Sequence, residues 1–575
     1  MAVPLASGIA YALTAARSIQ GGDSGELAAV GAVGGVAHPP GYPFFILWSR
    51  AFAWLPAESP THRVALTTAI SAALAIFLLE TAARAWGARP VAASLAAALF
   101  AVSPLAWRLA TAPEVFMLNV AIASALVMVA APAPWLHEER RAITLALLAG
   151  LGLANHHSVV LLAPLGLFAW ASAVRRAERR ALAVGGSLAA LAIGLLPYGY
   201  LALAADRECV WGDTSTLHGL VHQFLRVDYG TTQLAASTEE PQRLAQLVLL
   251  GRTFLASGIA ITLLVGAIVA VVRRRWSWPV AALTASLLLA GPIFVTRFNL
   301  PPHGLMSFVV MRFHLLPLAL ATVLGALGLD GIVDWVETPL AKRLALGGCV
   351  AALLARAAMS GADVVAEHRP TTERYLRNVL AMLPKDSILL AHGDDAAGGF
   401  EYLQCAIGER SDVVVIAPPL MLTEWYGRRI NRKLGFAVHH GERPPGEELP
   451  VMDATKLTEQ LVASGRPVFL TKWFTPTQER LFPSYPLGPL IRLVQRPADI
   501  PSPRDLFEQN DAVYARLVLD SPPPVAHTWA GVRYLDYARP WLVLARAFEA
   551  QGQKREAQVC QDRANQFLPQ DAPWD

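Results

Sequence analysis

QGGDSGELAAVGAVGGVAHPPGYP (residues 20–43) sets two carboxylates, Asp23 and Glu26, among glycines, then a run of small residues, then His38 and a rigid Pro-Pro-Gly-Tyr-Pro turn. It follows the first apolar segment of a chain in which hydrophobic residues make up 54% and charged residues only 16%. The mean hydropathy of +0.40 is a membrane-protein value. Acidic side chains at the edge of a bilayer are expensive, so their presence there is read first as function. The structural alternative is a helix cap, because Asp-Ser-Gly-Glu is close to a capping box.

Working outward from this stretch, a bilayer-spanning helix needs roughly 20 mostly apolar residues. On that scale spans are expected near 2–17, 64–83, 90–108, 114–132, 142–156, 158–173, 181–204, 247–271, 278–296, 311–330 and 344–359. Residues 1–16 lack a basic leader region and read as a short first membrane helix rather than a cleavable signal. Arg84 and Arg89, Arg140 and Arg141, RRAERR at 175–180, Arg273 to Arg275, and Lys342 with Arg343 fall in alternate connections. The positive-inside rule puts all of these on the cytoplasmic side, together with the N-terminus. The connections 18–63, 109–113, 155–157, 205–246 and 297–310, and everything after about 360, then face outward. Residues 41–56 are apolar enough to suggest another span, but counting them would reverse every basic loop, so an interfacial helix is expected there.

The tail changes character. DSILLAHGDD (386–395), DVVVIAPPL (412–420) and PVFLTKWF (467–474) read as short strands alternating with helices, a small α/β domain. A proline-rich connector (498–503 and 521–525) leads to PWLVLARAFEAQGQKREAQVCQDRANQFLP (540–569). That stretch reads as a helix-turn-helix with small residues at Ala545, Ala550 and Ala557 and a closing Pro569, like one tetratricopeptide unit. A single such unit needs neighbours, so it should pack on the α/β domain. The expected organisation is a membrane domain over 1–360, an extracytoplasmic α/β domain over 361–500 and a helical-repeat segment over 501–575.

A net charge of +4 on 575 residues leaves no nucleic-acid footprint. The four cysteines are far apart, with no zinc-type spacing; they give no disulfide framework and leave room for one long-range pair. No P-loop, no dinucleotide fingerprint, no GxSxG and no HExxH is present, so nucleotide-driven and serine-hydrolase chemistry have no support.

The polar residues that remain gather on the outer side. One carboxylate of Asp23 and Glu26 can deprotonate an acceptor hydroxyl while the other orients it or binds a cation. His38 is either turned to the same cavity by HPPGYP or a loop histidine. Glu114 and Asn119 stand at the start of the fourth span, where a glutamate also suits the helix dipole. Asn155 and His156 break an apolar hairpin and suit a sugar hydroxyl or a phosphate; two adjacent histidines do not share a helix face, so His156 and His157 make no metal pair. Trp211, Asp213, Arg226 and Tyr229 lie in one outer loop, where aromatic rings serve sugar stacking or an interface belt. Arg312 and His314 begin the tenth span, and the arginine fork either snorkels or holds a phosphate. Asp23, Glu26 and Glu114 are hard ligands of the kind a divalent cation takes, without a dedicated metal motif.

GGDSGELAAVGAVGGVAHPPGYPFFILWSR (21–50), PEVFMLN (113–119), GLANHHSVVLLAP (152–164), WGD…RVDYG (211–230) and RFHLLP (312–317) resemble successive motifs of one membrane family. It is the family of bacterial multi-spanning proteins related to transmembrane protein 260, a protein O-mannosyltransferase of the GT-C fold. GDDAAGGFEYLQ (393–404), RSDVVVIAPPLMLTEWY (410–426) and the helical tail resemble its extracytoplasmic part, so the likeness covers nearly the whole chain. The first helix is short for such a protein.

The resemblance implies an α-helical polytopic GT-C-like protein in the bacterial cytoplasmic membrane, with about eleven spans and an extracytoplasmic C-terminal domain. It implies transfer of a sugar, mannose in the animal relatives, with inversion, from a polyprenyl-phosphate donor to Ser or Thr of exported proteins. In such enzymes the catalytic acid lies in the first outer loop, which maps onto Asp23 with Glu26 beside it. The substrate contacts are then expected from His38, Tyr42, Glu114, Asn119, Asn155, His156, Trp211, Asp213, Arg226, Tyr229, Arg312 and His314. The expected partners are the lipid-linked donor, an exported protein and membrane lipids, without nucleic acid; no cofactor beyond the donor is assigned, and a divalent metal stays open. A transferase acting on lipid or cell-wall glycan, and a non-enzymatic transporter or assembly factor, are the alternatives. The one-sided placement of the polar residues and the lack of an inverted repeat speak against transport.

Overall fold

In the computed structural model, which describes residues 2–568 apart from 133–134, 230, 232–233, 235–239, 273–276, 336–337, 442–452, 473–475, 521–522 and 526–527, the chain forms two compact units. One comprises Met1–Arg17, Val30–Val210 and Thr214–His368; the other comprises Ser18–Ala29, Trp211–Asp213 and Arg369–Asp575. The division thus falls at 368, at the end of the Pro339–Glu367 helix, and residues 501–575 stay with the α/β residues.

The first unit is helical. All eleven expected stretches fall on helix for most of their length. Among the described residues five helices are long and apolar enough to cross a membrane, or up to seven if each bent pair counts as one span. The bent pairs are Pro90–Ala101 with Pro104–Thr111, at 67°, and Arg243–Ser257 with Ile259–Ile268, at 94°. Chemistry explains both bends: Ser103 caps the helix that Pro104 opens, and Gly258 ends its helix at φ +74°. The 41–56 stretch forms only the short helix Pro43–Ala51, nine residues, too short to span. Helices Glu138–Asn155 and Arg180–Leu195 meet backbone to backbone, since a Cβ on Gly150 would stand 2.5 Å from the Leu191 carbonyl oxygen. Close approach through small residues is how helices associate in lipid, and large apolar side chains such as Leu188 and Leu203 face outward.

Of the basic loop residues, Arg141 is buried. Its guanidinium donates to the carbonyls of Val129, Ala130 and Ala131, capping the Phe116–Val129 helix. Arg273 to Arg275 lie outside the described residues.

The second unit is α/β. Strands β1 (Ile388–Leu390), β2 (Val414–Ile416) and β3 (Val468–Leu470) lie within the three expected segments, of which Trp473 and Phe474 fall outside the described residues. A hairpin, β4 (Ser484–Leu487) and β5 (Leu490–Leu493), completes a five-stranded sheet in the order β2-β1-β3-β5-β4. β1 pairs in parallel with both β2 and β3, whereas β5 runs antiparallel to β3 and β4. The crevice at the carboxyl ends of β1 and β3, where such sheets commonly bind ligands, is filled by the chain itself. Arg533 donates to the His392 carbonyl and Arg539 to the Thr471 carbonyl, while the His392 amide donates to Thr471 Oγ1.

Those arginines belong to Trp529–Ala550, which forms a helical hairpin with Lys554–Asn565. Ala545 and Ala557 are buried in it and Ala550 is exposed; Pro569 lies outside the described residues. The hairpin packs on the α/β residues as expected, with Tyr375 donating to Asp536 at 2.9 Å and Arg533 gripping Asp395.

Candidate active site

The expected site residues divide between the two units. In the helical unit, the loop 34–42 is pinned along its length. Val36 bridges Val210 in parallel, the Gly35 amide donates to Tyr200 Oη, and Gln223 donates to the Ala37 carbonyl. Only glycine fits at 35: φ is +147° and a Cβ would stand 2.0 Å from the Cys209 carbonyl oxygen. The loop ends on Tyr42, a buried non-glycine residue at φ +43° that opens the Pro43–Ala51 helix. Such a conformation costs of order 1–3 kcal/mol and persists where its surroundings fix it. Here the Tyr42 hydroxyl lies 2.8 Å from His38 Nε2, and the Tyr42 ring stacks on His156 at 5.7 Å, 3° from parallel.

His156 stands in extended backbone between the Glu138–Asn155 helix and the 3₁₀ turn His157–Leu162. Its Nδ1 accepts from the Ser158 amide, which puts the ring proton on Nε2. Phe116 and Phe313 pack around the ring at 4.9 and 5.8 Å. Asn119 donates to Ser158 Oγ at 3.1 Å, and Asn155 donates to the Val115 carbonyl at 3.2 Å. The side-chain carbonyl oxygens of Asn119 and Asn155 are buried and accept no hydrogen bond among the described residues. Arg312 pairs with Glu114 at 3.5 Å and lies over the Phe116 ring. Tyr229 reaches the His38 ring, and Arg226 stands over Tyr229.

The structure therefore gathers His38, Tyr42, Glu114, Asn119, Asn155, His156, Arg226, Tyr229 and Arg312. His314 goes elsewhere: it is buried against Thr253, 2.9 Å away. With Thr253 donating to Leu249, His314 Nδ1 donates to Thr253 and Nε2 is left as a buried acceptor. Phe116, Ser158 and Phe313 were missed because aromatic and small residues in apolar runs carry no site signal in sequence.

Asp23, Glu26, Trp211 and Asp213 belong to the α/β unit. Ser24–Val33 is helical from just after Asp23, as a capping role would have it, and Glu26 in its first turn is buried. The Ile19 amide donates to Glu373 at 3.0 Å. Trp211 lies 5.9 Å from Trp425, and Arg428 donates to Asp213 at 3.3 Å. Glu401, which sequence reasoning did not single out, is set among charges. Burial pushes its carboxyl up, Arg429 opposes this, the Glu26 charge adds to it, and Lys433 opposes. Among the described residues no group of three or more His, Cys, Asp or Glu is placed to hold a metal ion.

Three comparisons bear on this geometry. Residues 23–181 match the family described as the Protein O-mannosyl-transferase TMEM260 N-terminal domain. The mouse protein O-mannosyl-transferase TMEM260 is 31% identical over 539 residues, covering 88% of this chain and 75% of the mouse protein. The Dictyostelium discoideum protein of the same name is 25% identical, covering 73% of this chain and 57% of its own length. Among solved structures, ArnT from Cupriavidus metallidurans bound to undecaprenyl phosphate superposes with a TM-score of 0.54 at 12% identity, over 85% of this chain and 97% of ArnT. At that identity the likeness shows the fold, the GT-C fold of a membrane glycosyltransferase. By its identity to the mouse protein along 75% of that protein's length, the chain belongs to the TMEM260 protein O-mannosyl-transferase family.

Proposed function

We propose that the chain is an integral membrane glycosyltransferase. It takes a sugar, mannose by the names of its relatives, from a polyprenyl-phosphate donor and passes it to Ser or Thr hydroxyls of exported proteins. The observation that carries this reading is the buried polar cluster around His156. A buried acceptor left unpaired costs about 1–3 kcal/mol. A site that keeps two, on Asn119 and Asn155, suits a ligand that brings donors, and sugar hydroxyls are such donors. Arg312, paired with Glu114, adds a planar fork matched to phosphate. ArnT, which shares the fold, was solved with undecaprenyl phosphate bound.

In the reaction the acceptor hydroxyl oxygen bonds to the anomeric carbon from the face opposite the phosphate. The anomeric C–O bond to phosphate breaks, polyprenyl phosphate leaves as the anion, and configuration inverts. The hydroxyl proton passes to a carboxylate, a role assigned to Asp23 with Glu26 beside it. Aligning acceptor and donor can supply about 7–11 kcal/mol of such a barrier.

The chemistry faces the outside of the cytoplasmic membrane in this reading. One fact supports that sidedness: the basic residues fall in alternate connections.

The test is transfer by the purified full chain from radiolabelled polyprenyl-phosphate mannose to a membrane-free extract of exported host proteins. Label on protein that is released by β-elimination is expected. Label confined to lipid or glycan would move the acceptor to the alternative class, and no label with any acceptor would overturn the transferase reading.

A further inference from the structure

Within the α/β unit the first-loop segment lies directly on the helix that follows β1, Asp394–Glu401. A Cβ on Gly25 would stand 2.7 Å from the Gly398 carbonyl oxygen and 2.8 Å from Gly399 Cα. One on Gly398 would stand 3.2 Å from the Glu26 amide nitrogen and 3.3 Å from Glu26 Cβ. The Asp23-Ser-Gly-Glu26 turn and the Gly398-Gly399 pair are therefore in backbone contact, and glycine on both sides permits it. One helical turn beyond Gly398, at the point where the helix widens into the π-helical turn Tyr402–Ile407, stands Glu401. Such widenings are frequent at functional sites because they redirect side chains.

Glu401 accepts from Arg429 Nη2 at 3.4 Å, and Arg429 stands on the Glu424–Leu434 helix. The charged and titratable groups facing Glu401 are Arg429, Lys433 and Tyr426 from that helix and Glu26 from the first-loop helix. Arg429 and Lys433 bring positive charge to Glu401, and Glu26 brings negative charge.

We propose that Glu401 and Arg429 are positioning residues for the first-loop carboxylates: Arg429 holds Glu401 against Glu26, and the pair sets the orientation and charge of the Asp23–Glu26 turn. The proposal rests on the transferase reading for its catalytic consequence and on the α/β unit alone for its geometry. It assigns the α/β unit a part in the reaction, because a displacement of about 1 Å at a reacting group can cost on the order of 10²-fold in rate.

The signs follow from electrostatics. Removing one of two neighbouring carboxylates lowers the pKa of the other; removing a cation beside them raises both. Transfer needs the first-loop base in its carboxylate form. Glu401→Gln should therefore move the acid limb of the transfer pH profile to lower pH, and Arg429→Gln should move it to higher pH, while Arg429→Lys leaves it near wild type. A purely structural role predicts loss of activity without opposite shifts.

A second measurement is independent of transfer. Infrared difference titration of the purified full chain reads the protonated carboxyl of Glu401, identified by its loss in Glu401→Gln. Its midpoint should fall in Glu26→Gln. Limbs that move together or not at all would overturn the proposal. If the wild type transfers nothing, the transferase reading fails, and the infrared midpoint still decides: one unchanged by Glu26→Gln overturns the contact. Where Arg429→Gln does not yield folded protein, the infrared comparison carries the test by itself.

Discussion

Arg533→Met should destabilise the α/β unit more than any single surface change, and the structure fixes how much. Arg533 holds Asp395 through two bonds, Nε to Oδ2 at 2.8 Å and Nη2 to Oδ1 at 2.5 Å, and donates to the His392 carbonyl at 3.2 Å. The Asp395 side chain is 2% exposed and that of Arg533 10%. Removing the guanidinium strands a carboxylate with almost no access to water. Breaking a buried pair from one side costs about 3–5 kcal/mol, whereas replacing both partners by apolar groups is often neutral or better. For a unit of this size each kcal/mol is worth roughly 2–4 °C, so the transition should fall by about 6–20 °C. Scanning calorimetry of the full chain in detergent reads it. Arg533→Met with Asp395→Leu should recover most of the loss. A single-variant shift below about 2 °C, or a double variant less stable than the single, would refute the reasoning. Because Asp395 lies in the first turn of the helix that carries Gly398 and Glu401, the single variant should also slow transfer.

Three further outcomes follow from the same geometry. Gly35→Ala should sharply lower the yield of folded protein, because its Cβ would collide with the Cys209 carbonyl. Gly87→Ala, at φ +103° with nothing within 4 Å, should lose only the strain of about 1–2 kcal/mol. Asn155→Leu should raise the donor KM by roughly 2- to 13-fold, the equivalent of one hydrogen bond worth about 0.5–1.5 kcal/mol; an unchanged KM would remove Asn155 from the site. Burial, with Lys472 and Arg533 nearby, pushes the His392 imidazole down to about 4. Its folded pKa is below the unfolded value near 6.5, so the unfolded chain binds the extra proton and stability is lost as pH falls from about 6.5 towards 4. His392→Gln should flatten the fall in melting temperature across that window; an unaltered slope would contradict the assignment.

The helical stretches were legible because lipid imposes a length on apolar helices. The two bends were signposted by Ser103-Pro104 and Ser257-Gly258, yet hydropathy alone runs through both, since the flanking turns are equally apolar. The three core strands were legible as short apolar runs bounded by turn residues; the β4–β5 hairpin was not, because SYPLGPLIRL puts a proline inside β4 and offers little alternation. At the site, the motif residues were found by their polarity in apolar surroundings, and nine of them do gather around His156 and Arg312. Two kinds of information were not local. His314 is claimed by Thr253, 61 positions away in the chain. Glu401 and Arg429 owe their meaning to Gly25 resting on Gly398, a contact between segments hundreds of residues apart that only the fold creates.

The measurement that tests the central claim most directly is sugar transfer by wild type against Asp23→Asn, with polyprenyl-phosphate mannose as donor and exported proteins as acceptor. The exchange is nearly isosteric and removes only the base, so the account predicts protein labelling by wild type and a loss of about 10²–10⁴-fold in the variant with its melting temperature preserved. Equal labelling by both proteins would contradict it.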